Sequence, residues 1–125
     1  MSSSELRYLI AANTLAESGA AVKQKDIAAR LGVSKVSAYN AVERLRDKGY
    51  IEKTERLVTL TEEGLRILGE YMTIIGFIST HLSVHCGTSP EQAYEDALNV
   101  SCAFSDATRN GVANFIRSGM GRGAS

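Results

Sequence analysis

The chain lacks the usual covalent and catalytic supports. Its two cysteines, Cys86 and Cys102, are too few for a disulfide framework. It has no glycine-rich phosphate loop, no His-Glu zinc motif and no nucleophile at a recognisable spacing from a base, so an enzyme is not expected. Internal repeats and low-complexity linkers are absent, and no basic, apolar leader opens the N-terminus, so the expected location is cytoplasmic. Formal net charge is zero, which removes any global signature of a nucleic-acid binder. What remains, 44% apolar and 22% charged residues, suits a soluble globular protein of one or at most two small domains.

The charge is unevenly spread. Residues 1–61 hold ten Lys/Arg against seven Asp/Glu, and residues 62–125 hold four against seven. A mildly basic half joined to a mildly acidic one suits a DNA-binding head on a pairing body.

Residues 25–50, KDIAARLGVSKVSAYNAVERLRDKGY, are the most informative stretch. Ile27, Ala28 and Leu31 give a short helix one apolar face. Gly32 suits the left-handed turn that ends it, and Ser34 can cap the next helix. That second helix is expected to bury Val36, Ala38, Ala41, Val42 and Leu45, leaving Ser37, Tyr39, Asn40 and Arg44 outward. Short polar side chains at the N-terminal end of an exposed helix are what reading base edges requires. Gly49 ends the helix. Tyr50–Lys53 and Leu57–Leu60 read as two short strands joined at Thr54-Glu55-Arg56, which makes the whole a winged helix-turn-helix. Lys53 and Arg56 stand on the wing where phosphates would pass.

Thr61-Glu62-Glu63 opens a further helix with a capping hydroxyl and two acids in its first turn. Leu65, Leu68, Met72, Ile75, Ile78 and Leu82 recur at helical spacing, broadened by Ile74, Phe77 and Val84. The run to Cys86 is expected to be one bent helix or two, weakest at Gly69 and Gly76. Its length invites a membrane reading, but Glu63, Arg66, Glu70 and the histidines argue against a lipid-facing span. So broad an apolar surface calls for a second copy of the chain as cover. Ser89-Pro90-Glu91-Gln92 is a helix start, with Gln92 placed to complete a capping box. Its helix carries Ala93, Ala97, Val100 and Phe104 on or near one face. Ser105-Asp106 starts a last helix holding Val112, Phe115 and Ile116. The expected architecture is mainly α: a winged helix-turn-helix domain (1–62), a helical dimerisation domain (63–118) and a disordered tail (119–125).

In this order the elements are familiar. Tyr8-Leu9, Asp26-Ile27-Ala28, Ser34, Leu45, Gly49 and Leu60-Thr61-Glu62-Glu63-Gly64 resemble the metalloregulators of the diphtheria-toxin-repressor and manganese-transport-regulator type. The likeness runs over residues 5–117 and is strongest over 8–68. It implies a homodimeric repressor joined through its C-terminal helices, each recognition helix entering the major groove of one half of a palindromic operator on double-stranded DNA. It places Gln24, Ser34, Ser37, Tyr39 and Asn40 at DNA-contacting positions, with Val36 able to touch a thymine methyl and Asn40 able to bond an adenine edge. Lys23, Lys25, Lys35, Lys53 and Arg56 would supply phosphate affinity, with Arg44 beside them.

The family's divalent ion is another matter. The positions that the resemblance assigns to its ligands hold Arg7, Ile10, Ile75, Leu98, Ser101 and Cys102. Only Cys102 can ligate, and Arg7 puts a positive charge where the cation would sit. The resemblance thus implies a kept fold and a lost ion site. Several replacements are open. His81, His85 and Cys86, or Cys102 from a neighbouring helix, can form a relocated site for Mn, Fe or Zn; the two cysteines can sense oxidation; apolar residues can hold the dimer in its DNA-ready form; the vacated site can take a small organic ligand. A winged-helix module that binds protein rather than DNA is the competing function.

Overall fold

The computed structural model describes residues 1–119. The expected tail from residue 120 onward lies outside the described residues. The chain forms two compact units, one of residues Met1–Leu68 and the other from Gly69 onward.

The first unit begins with α1 (Ser3–Glu17). Ser2 caps it, accepting from the Glu5 N–H, while the Glu5 carboxylate accepts from the Ser2 N–H. Helices α2 (Gln24–Leu31) and α3 (Lys35–Asp47) follow. Between them Gly32 sits at φ 66, and the Ser34 hydroxyl accepts from the Ser37 N–H at 3.0 Å. Leu6, Leu9, Ile27, Ala38, Ala41, Val42 and Leu45 form the core of the three helices. Each fully buried leucine or isoleucine there is worth about 1.5–3 kcal/mol.

The wing is an antiparallel hairpin of β1 (Ile51–Thr54) and β2 (Leu57–Leu60), in register from Ile51 opposite Leu60 to Thr54 opposite Leu57. Its turn is shorter than expected. Thr54 pairs within the ladder, leaving only Glu55 and Arg56, at φ 51 and 71, to reverse the chain. That double left-handed conformation matches the twist of a tight hairpin. The Val58 N–H donates to the Val22 carbonyl at 2.8 Å, which ties the wing to the start of α2.

Helix α4 (Glu62–Cys86) is one continuous helix of 25 residues, unbroken at Gly69 and Gly76. The Thr61 hydroxyl caps it, accepting from the Gly64 N–H at 2.9 Å. A side chain at Gly64 would collide with the Tyr50 carbonyl, so the close approach of α4 to the wing requires glycine here. Among the described residues α4 is the one helix long and apolar enough to cross a membrane by composition; Glu62, Glu63, Arg66 and buried Glu70 punctuate it.

The second unit holds the rest of α4 with α5 (Pro90–Ala103) and α6 (Asp106–Arg117). Tyr71, Ile74, Ile75, Ala93, Ala97, Leu98 and Ala113 are buried. The α5 stripe differs from expectation: Ala93, Ala97, Leu98 and Ser101 face inward, while Val100 is exposed and Phe104 has left the helix as its C-cap. The stripe is centred between Ala97 and Ser101, which puts Val100 at its edge. Gln92 completes no capping box, its amide donating instead to Asp96. On α6 the buried residues are Arg109 and Ala113, and Phe115 is exposed.

A buried ion-pair network joins α4 to α6. Arg109 donates to Glu70 Oε1 at 2.9 Å, to the Tyr71 hydroxyl at 3.2 Å and to Asp106 at 2.8 Å, and Asn110 donates to Glu70 Oε2 at 2.8 Å. The guanidinium also lies 4.9 Å from the Tyr71 ring centroid. Burial pushes the Tyr71 phenol above its usual range. Burial would lower Arg109, but the bonds to Glu70 and Asp106 outweigh it and raise the guanidinium further.

Candidate nucleic-acid interface

The outer edge of α3 is the centre of the site. Ala38, Ala41, Val42 and Leu45 are fully buried, so the opposite side of the helix is presented outward by its own packing. Ser34, Lys35, Val36, Ser37, Tyr39 and Asn40 are all exposed. Val36 corrects the reading from sequence: it is 69% exposed rather than buried. Two residues along a helix turn the chain by about 200°, so Val36 points away from the face that Ala38 occupies. It shares a side with Asn40, one turn further on.

The small polar groups are arranged to donate. The Ser34 hydroxyl bonds Ser37 Oγ at 3.0 Å as well as capping the helix. With Ser34 supplying that hydrogen, the Ser37 hydroxyl is left with its own proton to offer outward. Asn40 makes no hydrogen bond among the described residues, which leaves both halves of its amide available.

Cations surround this edge in two states. Lys23, Lys25, Lys35 and Arg56 form no ion pair among the described residues. Lys23, Gln24, Lys25, Lys53 and Arg56 line one open cleft of about 340 Å³ between the start of α2 and the wing, and Gln24, Lys25 and Lys35 line a smaller one of about 150 Å³. The Gln24 side-chain oxygen is buried there without a partner among the described residues.

Arg44 and Lys53, by contrast, are engaged by carboxylates. Lys53 bonds Glu43 at 3.1 Å and stands 5.0 Å from the Tyr39 ring centroid, clamping the wing to α3. Arg44 reaches Glu5 at 3.3 Å, and Lys48 reaches the same carboxylate at 2.9 Å. Burial pushes Glu5 up, but bonds from the Ser2 N–H and Lys48 prevail and hold it at about 2. Glu5 thus anchors α1 to the recognition helix. The sequence reading missed this role, although Ser2-x-x-Glu5 carries a capping-box signature.

In the second unit, the His81 and His85 rings stack with centroids 5.3 Å apart, and Cys86 is exposed. Cys102 is half-buried. Among the described residues no group of three or more His, Cys, Asp or Glu side chains is arranged to hold a metal ion.

The comparisons with known proteins bear on the same regions. The profile of the iron dependent repressor N-terminal DNA binding domain matches residues 1–65. No curated protein matches the chain in sequence. Among solved structures, a hypothetical protein from Sulfolobus solfataricus is 24% identical with a TM-score of 0.72, over 93% of this chain and 89% of that one. The manganese regulator SloR is 20% identical with a TM-score of 0.73, over 90% of this chain and 53% of its own. T. acidophilum IdeR is 18% identical with a TM-score of 0.60, over 95% and 54%. The chain therefore spans about half the length of the two regulators, and at these identities the likeness establishes the fold. The matched domain makes the chain a DNA-binding transcriptional regulator of the repressor kind, not an enzyme. The chain belongs to the iron dependent repressor family, whose DNA-binding domain is its N-terminal unit.

Proposed function

We propose that the chain works in the cytoplasm as a homodimeric repressor that reads a palindromic operator with α3, without the divalent ion its family uses. The observation that carries the reading is the division of α3 into a fully buried apolar face and an exposed edge of Ser34, Val36, Ser37, Tyr39 and Asn40. Asn40 is assigned the adenine edge and Val36 a thymine methyl. Gln24, Lys23, Lys25, Lys35 and Arg56 are assigned to phosphates, where they supply affinity without sequence choice. Lys53 and Arg44 contribute chiefly by holding the wing and α1 against the reading helix. The matched DNA-binding domain favours DNA over a protein partner for this surface.

Dimerisation is supported by apolar side chains left exposed in the second unit: Met72 at 37%, Val84 at 68%, Val100 at 45% and Phe115 at 58%. So many large exposed apolar groups in so small a unit call for cover, and a second copy supplies it by symmetry.

The positions that the family resemblance assigns to the ion do not fit one. Ile75 and Leu98 are buried hydrocarbons that offer no lone pair. Ser101 is buried with its hydroxyl donated to the Ala97 carbonyl at 2.6 Å. Arg7 brings a positive charge, Ile10 brings none of the oxygens a hard ion needs, and Cys102 alone is insufficient. DNA affinity measured by fluorescence anisotropy on chelator-treated protein tests the proposal, beside sedimentation equilibrium. Undiminished operator binding by a dimer is expected; a monomer, or binding restored only by Mn2+ or Fe2+, would refute it.

A further inference from the structure

We propose that the last turns of α4 carry a metal site unrelated to the positions the family resemblance assigns, in which His81 and His85 chelate one borderline divalent ion such as Cu2+, Ni2+ or Zn2+. Four residues apart, the two side chains share a helix face. Their rings lie 22° from parallel with centroids 5.3 Å apart, and both residues are exposed. Phe77, one turn earlier, packs on His81 with ring centroids 4.4 Å apart. The three rings form a ladder up the helix, and Phe77 limits how far His81 can swing.

Metal–nitrogen bonds of about 2.0–2.1 Å require the two ligating nitrogens to stand roughly 3 Å apart. Two histidines four residues apart on one helix face meet that requirement in helix-borne zinc motifs. His85 lies in the last turn of α4, where unpaired carbonyls make the helix end electronegative and favour a cation.

The local sequence sets the ion class. Between Glu70 and Glu91 the chain has no Asp, Glu, Lys or Arg. No ammonium along this stretch opposes a cation, and among the described residues no carboxylate joins the two histidines in a group that could hold an ion, as the oxygen shell that Mn2+ prefers would require. Imidazole nitrogens favour the softer end of the divalent series. With two protein donors, the remaining coordination positions stay open to water, as in a site that binds and releases its ion rather than a closed structural one.

The test is calorimetric titration of the tag-free full chain with Cu2+, Ni2+ and Mn2+, together with the electron paramagnetic resonance spectrum of the Cu2+ form. One Cu2+ per chain with nitrogen hyperfine structure is expected, together with no binding of Mn2+ at these residues. Because the second imidazole binds intramolecularly, either His81→Ala or His85→Ala should weaken the ion by about tenfold or more, while Cys102→Ser should leave it unchanged. Both histidines are exposed, so the variants should keep the wild-type circular dichroism. Equal affinity in the His81→Ala/His85→Ala double variant, or no nitrogen-ligated Cu2+ in the wild type, would overturn the site.

Discussion

In each unit of this regulator a buried carboxylate meets a cation from another helix, and the two anchors are built differently. In the head, Glu5 is buried while its partners Arg44 and Lys48 remain 52% and 42% exposed. In the C-terminal unit, Glu70 and Arg109 are 1% and 5% exposed, and Tyr71, Asp106 and Asn110 complete their bonding. The first anchor joins α1 to the recognition helix at the surface, where water and salt compete for the cations. The second sits out of water, where removing either partner leaves the other's buried charge poorly compensated. The head can thus lose charges at modest cost, while the C-terminal unit depends on the Glu70–Arg109 network to set how α4 and α6 pack.

The sharpest way to break this contrast is Arg109→Leu, which takes from buried Glu70 the guanidinium that bonds it at 2.9 Å. It should destabilise the protein by about 3–5 kcal/mol in urea denaturation, and adding Glu70→Leu should recover most of the loss. Next comes Gly64→Ala, whose methyl would meet the Tyr50 carbonyl. A loss of about 3 kcal/mol, read in the same experiment, is expected from that overpacking.

Glu5→Gln should cost less, about 2 kcal/mol near neutral pH once the exposure of its partners is discounted. The sign of its pH dependence follows from the carboxyl lying at about 2 rather than the ordinary 4.5. Its contribution is complete above pH 4.5 and drains away as pH falls towards 2. The stability gap between wild type and Glu5→Gln, followed by denaturation at stepped pH, should close over that window. The smallest effect belongs to Lys35→Ala, which should leave stability unchanged. It should weaken all duplexes alike and lower the salt slope of DNA binding by about 0.9, read from anisotropy at stepped KCl.

The element boundaries were legible in sequence because they are set by local chemistry. Gly32 and Ser34 punctuate the helix-turn-helix, Thr61 starts α4, and Ser89-Pro90 starts α5; each acts through backbone groups within a few residues. Periodicity then found most of the core, failing where a helix phase was misjudged, as at Val36 and Val100. The two anchors were not legible. Glu5 meets Arg44 and Lys48 across 39 and 43 residues, and Glu70 meets Arg109 across 39. Nothing local marks a charge that tertiary packing will bury. The sequence marks Arg44 as an outward-facing DNA-binding candidate for the same reason, since its helix face gives no sign of the carboxylate that holds it. The outward set of Ser34, Ser37, Tyr39 and Asn40 was legible because it is what remains once the apolar stripe is assigned.

The proposed function rests on this outward edge of α3 reading bases. Selection of bound duplexes from a random library, run in parallel with wild type and Asn40→Ala, tests it most directly. Wild type should enrich a palindrome with half-sites about one helical turn, roughly 34 Å, or a multiple apart. Asn40→Ala should lose preference at one symmetric position, by about 1–3 kcal/mol. Enrichment of the same sequence to the same degree by both proteins, or of none by wild type, would contradict it.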